Sequence, residues 1–483
     1  MSASFLFYDL ETSGVNPRES RVMQFAGQRT DMDLNPIGEP YNYLIRLTPD
    51  VLPDPEAVLI TGITPQKTIT EGISEAEFLK IFQADIAISG TIFTGFNSVR
   101  FDDEFLRFMH YRNFYDPYEW SWKDNRSRWD ILDVIRMTRA LRPDEINWPF
   151  RSDGVPTNRL ELLTELNDIS HTEAHDALSD VQATIDVARL IRDKQPKLFS
   201  YLLELRDKRA VSRLVEADEP FLYTSGRYQN DFEKTTSAVR LCNLADQPQT
   251  ALVFDLRFNP EDYLDKSVED IAGAWKQKYD ERPFHIPVKT LRYNRCPAIA
   301  PMGVLDDDSQ KRLSLDIATI SAHKKALSAH KKALCTLFTD AYQALRSADQ
   351  TELIEKDVQT VDGRLYDGFI PDPDKSLARR VVSSSPDKLT SANFAFSDER
   401  LQQLLPLYKA RNFPEYLSSD EQIAWEDFRK QRLLGGGEKS QVHQFAKRLQ
   451  VCAEKNKSAE ADYIIEELKL YVESILPADP SEL

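Results

Sequence analysis

A short apolar run that ends in two carboxylates constrains this chain more than any other feature. Residues 5–8 read Phe-Leu-Phe-Tyr, and Asp9 and Glu11 follow just before the polar stretch Thr12-Ser13-Gly14. A continuous apolar run with a polar boundary is typical of a buried strand that enters a turn. Side chains two positions apart in a strand point the same way, so Asp9 and Glu11 should lie side by side at the strand's carboxyl end.

Two adjacent carboxylates indicate a metal site. Like charges held together repel each other, and the arrangement is costly unless a cation lies between them. Carboxylate oxygens are the ligands that hard cations such as Mg²⁺ prefer. An exposed strand end with two solvated acids would give the same pattern, so this fragment alone leaves both interpretations open.

Length and charge limit the classes of protein. A chain of 483 residues is too long for one core, and we expect two to four domains. The net charge of −17 argues against a protein that coats nucleic acids, although an acidic enzyme can still carry a local basic groove. The 4 cysteines include no C-x-x-C pair, so neither a zinc site nor a disulfide framework is indicated.

The sequence shows no sign of membrane insertion or export. No apolar run approaches the length that spans a bilayer. The amino terminus lacks a basic region, and its apolar run carries Asp9, which does not fit a signal peptide. We therefore expect a cytoplasmic protein in a reducing compartment.

Strand and helix signals alternate over residues 1–196, which predicts an α/β layer architecture. Strand patterns occur at 22–30, 43–47 and 91–96. Helical periodicity occurs at 75–82, 103–109, 130–141, 160–166 and 177–193. The last helix should stop before Pro196, because proline in a helix interior lacks a backbone N–H and its ring clashes with the preceding turn.

The rest of the chain changes character twice. Short strand candidates at 223, 239–241, 251–256 and 286–291 predict a small β-rich domain, and residues 305–349 look helical. From about residue 351 the chain is helical and charged, with Gly435-Gly436-Gly437 between two helical blocks. The expected domains are residues 1–196, 197–350 and 351–483.

A direct repeat lies in the helical part of the second domain. Residues 321–327 and 328–334 both read Ser-Ala-His-Lys-Lys-Ala-Leu. Seven residues are close to two helical turns, so the lysine pairs should recur on one face. That face could follow a phosphate backbone or bind an acidic partner, but a solvated helix face is the more common explanation.

Three further residues could join the first acid pair. Asp102 follows the strand at 91–96 and opens a helix, where the helix dipole by itself favours an acid. Asp176 is a plausible N-cap, which leaves His175 in the preceding loop and Asp180 in the first turns of the helix. Five positions on an ideal helix turn through about 140°, so His175 reaches the same centre only from outside the helix.

Together these residues resemble a known superfamily. A D-x-E on the first strand, an aspartate after a later strand and H-x-x-x-x-D at a late helix are similar to the DEDD superfamily of 3′→5′ exonucleases, in its histidine-containing subclass. Longer stretches resemble the bacterial exodeoxyribonuclease I family; they are residues 58–65, 97–104, 111–118, 127–130, 286–289, 296–297, 365–369 and 410–414. The resemblance covers nearly the whole chain.

The resemblance implies a fold and an activity. The expected architecture is an α/β RNase H-like exonuclease domain, an SH3-like β-rich domain with a helical extension, and a helical C-terminal domain, which together wrap single-stranded DNA. The expected activity is 3′→5′ hydrolysis of single-stranded DNA to 5′-mononucleotides in DNA repair and recombination. The catalytic residues that it implies are Asp9, Glu11, Asp102, His175 and Asp180.

It also implies a two-metal mechanism. Asp9, Glu11 and Asp180 would hold one Mg²⁺, Asp9 would bridge to a second, and Asp102 would complete the site directly or through water, with Mn²⁺ as a substitute. Two such ions stabilise both sides of an in-line displacement at phosphorus. His175 would accept the proton of the attacking water, because an imidazole pKa of about 6.5 suits neutral pH.

Substrate binding should use different chemistry. Aromatic and basic residues interleave between residues 96 and 145, and single strands are bound through base stacking and backbone charge. Tyr118 and Trp122 lie in a polar loop that contains proline, so we expect them to stack on bases, whereas neighbouring phenylalanines should be core.

Three arginines are candidate phosphate contacts. Arg159 stands just before a helix, and the resemblance implies that it contacts the substrate near the active site, as does Glu11. Arg107 and Arg136 are further candidates, suggested only by their place among the aromatic residues.

The resemblance implies a protein partner as well, and some alternatives stay open. The family engages the acidic, hydrophobic C-terminal tail of single-stranded DNA-binding protein, which Arg142, Lys409 and Arg411 could receive, and we expect a monomer. The alternatives are a DEDD exoribonuclease acting on short RNA, a proofreading subunit of a polymerase, and a catalytically silent protein that binds single-stranded DNA.

Overall fold

The predicted first strand lies at the centre of a five-stranded mixed sheet. The structure, a computed structural model, describes residues 3–171, 176–355, 360–391 and 394–476. Within these residues an α/β domain is followed by an antiparallel β-sheet with a long helix and then by a helical part, which confirms the predicted fold class.

The described residues form ten strands. They are β1 (Ser4–Thr12), β2 (Val22–Thr30), β3 (Tyr41–Leu44), β4 (Thr91–Gly95), β5 (Ser127–Asp130), β6 (Phe221–Thr224), β7 (Thr235–Leu244), β8 (Gln247–Asp255), β9 (Val288–Arg292) and β10 (Ala298–Pro301).

The α-helices of the described residues are α1 (Pro55–Thr61), α2 (Pro65–Glu71), α3 (Glu75–Ile81), α4 (Asp102–Arg112), α5 (Ile131–Leu141), α6 (Leu160–Leu166), α7 (Ala177–Lys194), α8 (Pro196–Glu204), α9 (Lys208–Glu216), α10 (Val268–Lys276), α11 (Asp307–Arg312), α12 (Ile317–Glu355), α13 (Asp372–Ser383), α14 (Pro386–Ser391), α15 (Glu399–Asn412), α16 (Ser419–Leu434), α17 (Gln441–Lys455) and α18 (Ala459–Ile475). We call β1–α8 the amino-terminal domain, α9–α12 the middle domain and the described residues from 360 to 476 the carboxyl-terminal domain.

The amino-terminal sheet has the order β3-β2-β1-β4-β5. β1 runs antiparallel to β2, with Asp9 opposite Ala26, and parallel to β4, with Phe7 opposite Thr94. Alternate side chains of β1 enter different cores: Phe5 and Phe7 pack on the side of α7, and Leu6 packs on the other side. Both faces are covered, which explains the uninterrupted apolar run of the sequence.

The helix that carries the predicted late acid forms as expected. Asp176 is the N-cap of α7, and its side chain accepts a hydrogen bond from the backbone N–H of Ser179 at 3.0 Å. α7 ends at Lys194, and Pro196 begins α8. α7 packs directly on β1, so its first turn lies near the end of the strand where Asp9 and Glu11 lie.

The middle domain contains a five-stranded sheet of order β10-β6-β7-β8-β9, and every neighbouring pair is antiparallel. The 39-residue helix α12 lies across it and packs on α10 and β7. Gly435 ends α16, so the predicted break between two helical blocks is present in the carboxyl-terminal domain.

A buried charge cluster joins the first and last domains. Asp362 accepts hydrogen bonds from Arg21 and Arg411, each at 2.8 Å, and Arg411 also contacts Asp50 at 2.7 Å. Arg432 lies 3.5 Å from Asp362 and 3.6 Å from Asp50. None of these side chains is more than 6% exposed.

Among the described residues, no helix combines the length and the apolar character that crossing a bilayer requires.

Candidate metal centre and nucleic-acid groove

Three predicted acids meet where β1 ends beside the first turn of α7. Asp9 and Glu11 project from the same face of β1, and Asp180 projects from α7. One carboxylate oxygen of each residue lies within 4.8 Å of one oxygen of each of the others. All three side chains are only half-buried, so the cluster is open to a ligand.

The acids strain each other electrostatically. Burial, followed by the charges of Asp180 and Asp176, raises the pKa of Asp9 to about 7. Burial and the charge of Asp9 raise the pKa of Glu11 to about 9. A site that contains only anions stabilises a cation, and its oxygen donors suit Mg²⁺ or Mn²⁺.

Asp102 lies on a different element from these three acids and is more deeply buried than they are. It is the first residue of α4, is only 3% exposed, and accepts a hydrogen bond from the backbone N–H of Leu10 at 3.1 Å. Burial and then the charge of Asp9 raise its pKa well above the usual range. Asp102 therefore ties α4 to the strand that carries Asp9 and Glu11.

A tight turn between β4 and α4 aims Asp102 at the strand. A Cβ on Gly95 would come within 2.8 Å of the carbonyl oxygen of Tyr8, so only glycine allows this close approach. Asp130 then accepts hydrogen bonds from the backbone N–H groups of Asn97, at 3.0 Å, and Val99, at 3.2 Å.

A histidine other than the predicted general base lies at the site. His175 lies outside the described residues. His171 places its Nε2 2.6 Å from Oδ1 of Asp180, and its side chain is 4% exposed. The sequence analysis missed His171 because a single histidine in a loop carries no spacing signal.

A large groove lies between the three domains. Its volume is about 1530 Å³, and it is lined by residues of the amino-terminal, middle and carboxyl-terminal domains. Cations dominate its walls and include Arg100, Arg128, Lys208, Arg213, Arg292 and Arg295. The groove runs beside α4, although Asp9, Glu11 and Asp180 do not line it.

Three of the predicted substrate residues line this groove. The indole of Trp122 is 61% exposed, which leaves a flat face for a base. The ring of Tyr118 lies 5.6 Å below the guanidinium of Arg107. Phe369, which the sequence analysis did not single out as a substrate contact, also lines the groove and is 97% exposed.

The other two predicted arginines lie elsewhere. Arg136 pairs with Asp133 at 2.8 Å and lies against Gly226, away from the groove lining. Arg159 is exposed immediately before α6, the helix that packs on α7.

Glu104 connects all three domains at the wall of the groove. It pairs with Arg107 of its own helix and with Arg295 of the middle domain at 2.6 Å. It also accepts a hydrogen bond from the hydroxyl of Tyr366 in the carboxyl-terminal domain. Glu104, two residues beyond Asp102, thus links the three domains at the edge of the groove.

Two known proteins are similar to this chain over most of its length. Exodeoxyribonuclease I of Haemophilus influenzae is 38% identical over 436 residues, which cover 89% of this chain and 90% of that protein. Exodeoxyribonuclease I of Escherichia coli K12 is 37% identical over 438 residues, with coverage of 89% and 90%. This chain belongs to the exodeoxyribonuclease I family.

Three family models match successive parts of the chain in the expected order. A model described as Exonuclease matches residues 6–188. Models described as Exonuclease I SH3-like domain and Exonuclease I C-terminal domain match residues 206–344 and 359–475. The chain is therefore a nuclease, and the predicted SH3-like and helical domains are confirmed.

Solved structures of the family show the same architecture. E. coli Exonuclease I in complex with a dA16 oligonucleotide matches with a TM-score of 0.90 and 34% identity, over 98% of this chain and 100% of that chain. A zinc-bound E. coli ExoI–ssDNA complex matches with a TM-score of 0.90 and 33% identity, over 99% and 100%. A structure of SSB/Exonuclease I with the inhibitor CFAM matches with a TM-score of 0.88 and 34% identity, over 98% and 100%.

The lysine repeat has a structural explanation within this family fold. Leu327 and Leu334, the last residues of the two copies, are buried in the core of the middle domain. Lys324 pairs with Glu219 at 3.2 Å, and Lys331 pairs with Asp218 at 2.5 Å. The second lysine of each copy is exposed, so the repeat follows the packing period of α12.

Proposed function

We propose that this chain is a metal-dependent 3′→5′ exonuclease that hydrolyses single-stranded DNA to 5′-mononucleotides. The observation that carries the proposal is the cluster of Asp9, Glu11 and Asp180, whose carboxylate oxygens lie within 4.8 Å of one another in a nuclease fold. Its E. coli relatives have been solved with single-stranded DNA at a TM-score of 0.90, which supports the choice of substrate.

We propose Mg²⁺ as the cofactor, two ions per site, with Mn²⁺ as a substitute. The donors fit, because carboxylates whose pKa values are raised by burial and by neighbouring acids gain most from a hard cation. Asp9, Glu11 and Asp180 would hold one ion, and Asp9 and Asp102 would serve the second. When bound, the ions would lower the pKa of the attacking water and neutralise charge on the leaving 3′ oxygen.

The chain's own residues would supply order and proton transfer. Asp102 holds α4 against β1 through the N–H of Leu10, so the acids keep their relative positions. The role of His175 as general base stays a prediction from the family resemblance. Glu11 and Arg159 would contact the terminal nucleotide, because one belongs to the acid cluster and the other precedes a helix packed on α7.

The groove between the domains would carry the strand to this site. Trp122 and Tyr118 offer ring faces, and stacking contributes about 1–3 kcal/mol per base. Duplex DNA exposes no base faces, so such a groove selects single strands. Arg107 lies over the ring of Tyr118 but is buried and paired with Glu104, so it would hold that ring in place. Arg136 pairs with Asp133 outside the groove, so nothing in the groove supports its predicted contact with DNA.

The decisive experiment follows 3′-labelled and 5′-labelled single-stranded DNA with Mg²⁺ and with EDTA. We expect early release of labelled mononucleotide from the 3′ end with Mg²⁺ and none with EDTA. Asp180→Asn should abolish release but still bind DNA, because the groove lies apart from the acids. A matched RNA strand and Asp193→Asn, a change at an exposed acid near the end of α7, complete the set.

The outcomes separate the alternatives. Release from RNA but not DNA would favour an exoribonuclease acting on short RNA. Binding without release from either strand would indicate a silent binding protein. Release that requires a polymerase subunit would indicate a proofreading role.

We further propose single-stranded DNA-binding protein as a partner, engaged through its C-terminal tail. The support is a relative solved with that protein. Of the three candidate cations only Arg142 remains accessible, at 35% exposure beside Asp306. Lys409 is held by Glu421, and Arg411 lies in the buried charge cluster, so neither can receive a tail.

Three lesser predictions complete the proposal. Domain boundaries at residues 196 and 350 are supported by family models that match 6–188, 206–344 and 359–475, although α12 continues to Glu355. A cytoplasmic setting is supported by four free cysteines, and a role in DNA repair follows from the family resemblance. A monomer is expected, and sedimentation tests it.

A further inference from the structure

His171 contacts the metal centre from behind. Its imidazole Nε2 lies 2.6 Å from Oδ1 of Asp180, and its Nδ1 lies 3.3 Å from the hydroxyl of Thr164. The side chain is 4% exposed, so the ring is enclosed by protein. Two elements thus meet at this ring: α6, which carries Thr164, and α7, which carries Asp180.

The hydrogen-bond roles follow from what each group can donate. A metal-binding carboxylate is ionised and only accepts, so Nε2 must carry the hydrogen that points at Asp180. The hydroxyl of Thr164 lies 2.8 Å from the carbonyl oxygen of Glu161 and 3.0 Å from that of Leu160, and Thr164 is fully buried on α6. Nδ1 lies beside this hydroxyl, whose one hydrogen serves several acceptors, so the hydrogen bond to Asp180 is the contact that rotation of the ring would lose.

Asp180 needs this kind of support. Its carboxylate is held near those of Asp9 and Glu11 against their repulsion. A carboxylate has two oxygens, so one can accept from His171 while the other serves the metal site. Residues that hydrogen-bond to a metal ligand orient it, and their loss typically weakens metal binding about 10–100-fold.

We propose that His171 is a positioning residue that holds Asp180 in its metal-binding orientation. The inference rests on the proposed metal-dependent function. It differs from the role predicted for His175, because the Nε2 of His171 already carries a hydrogen directed at Asp180 and cannot accept one from water. His171 thus acts through Asp180 and does not touch the substrate.

The test compares Mn²⁺ binding to the full-length protein, measured by electron paramagnetic resonance, in wild type, His171→Ala and His171→Gln. We expect His171→Ala to weaken Mn²⁺ binding about 10–100-fold. His171→Gln keeps an N–H of similar reach and should restore much of the affinity. His443→Ala, a change on α17 of the carboxyl-terminal domain, should leave Mn²⁺ binding as in wild type.

Rates give a second readout. The Mg²⁺ concentration for half-maximal rate should rise in His171→Ala by a similar factor, while the rate at saturating Mg²⁺ recovers. Unchanged Mn²⁺ affinity, with only a lower Tm, would overturn the proposal, as would a rate that no Mg²⁺ concentration restores. An inactive wild type would refute the proposed nuclease function instead, and the Mn²⁺ measurement would still report on His171.

Discussion

At the end of β1, two carboxylates that suit metal binding lower the stability of the metal-free protein. Asp9 and Glu11 are placed where burial and neighbouring acids raise their pKa values. Without a metal ion, the folded protein must either bind protons there or accept the repulsion. The acids that suit metal binding are therefore not the residues that would make the metal-free protein most stable.

This conflict gives a prediction for Glu11→Gln. The pKa of Glu11 is about 9 in the folded, metal-free protein and about 4.3 in an unfolded chain. Since the folded pKa is raised, Glu11 costs nothing below about pH 4 and destabilises increasingly as pH rises toward 9. In EDTA at pH 8 we expect Glu11→Gln to raise the Tm by about 2–4 °C, the effect of about 1 kcal/mol in a domain of 150–250 residues.

Differential scanning calorimetry at pH 5 and pH 8 checks this prediction. The gain in Tm should be smaller at pH 5, and added Mn²⁺ should raise the Tm of wild type more than that of the variant. Glu19→Gln, a change at an exposed acid in the loop after β1, is the control and should shift neither value. An equal gain at both pH values would rule out the electrostatic explanation.

At the level of elements, the long and strongly patterned segments could be predicted and the short ones could not. β1, β2 and α7 were found because each has a clear apolar period or boundary. β5 was missed because its four residues, Ser-Arg-Trp-Asp, have no strand pattern, and pairing with β4 alone forms it. β10 was missed for the same reason. The helices α1 and α2 were missed although a capping residue and a proline begin each of them, because seven residues show too little apolar periodicity.

Site residues followed the same rule. Asp9 and Glu11 could be placed side by side because strand geometry fixes where their side chains point, whereas Asp180 was added through the family resemblance. The groove could not be predicted, because its walls come from three domains whose packing is set by tertiary contacts such as that of Glu104 with Arg295 and Tyr366. Arg136 is an example. Its aromatic and basic neighbours in the sequence suggested a contact with DNA, but its side chain pairs with Asp133.

Helix α9 offers a matched test of the groove. Arg213 is exposed and lines the groove, whereas Arg209, also exposed and on the same helix, does not. Each phosphate contact on a single strand contributes about 0.7 to the slope of log K against log salt. We expect Arg213→Ala to reduce the slope for DNA binding by about this amount and Arg209→Ala to leave it unchanged.

Fluorescence anisotropy with labelled oligo(dT), in a titration from about 50 to 200 mM salt, measures both slopes. The two variants change the net charge equally, so a general effect of charge would alter both alike. That result would move the DNA path away from α9.

For the whole molecule, the joint between the first and last domains depends on buried charge. Asp50 and Asp362 face Arg21, Arg411 and Arg432, and none of these side chains is more than 6% exposed. Removing one partner from such a cluster leaves an unpaired buried charge, which is far more costly than the cluster itself is stabilising. Apolar clusters shared by both domains also hold this joint, so the charge cluster adds to an interface that apolar packing already forms.

Asp362→Asn tests this joint. Burial alone would raise the pKa of Asp362, but Arg411, Arg21 and Arg432 hold it well below its usual range. At pH 7 we expect the variant to lose about 3–5 kcal/mol of unfolding free energy in urea. Asp367→Asn, which removes a 40%-exposed acid from its pair with Arg364, should lose under about 1 kcal/mol. Because a depressed pKa stabilises above the unfolded value of about 3.9 and is lost as pH falls, the gap between wild type and Asp362→Asn should narrow in acid. A gap that stayed constant to low pH would show that Asp362 acts through shape and not through charge.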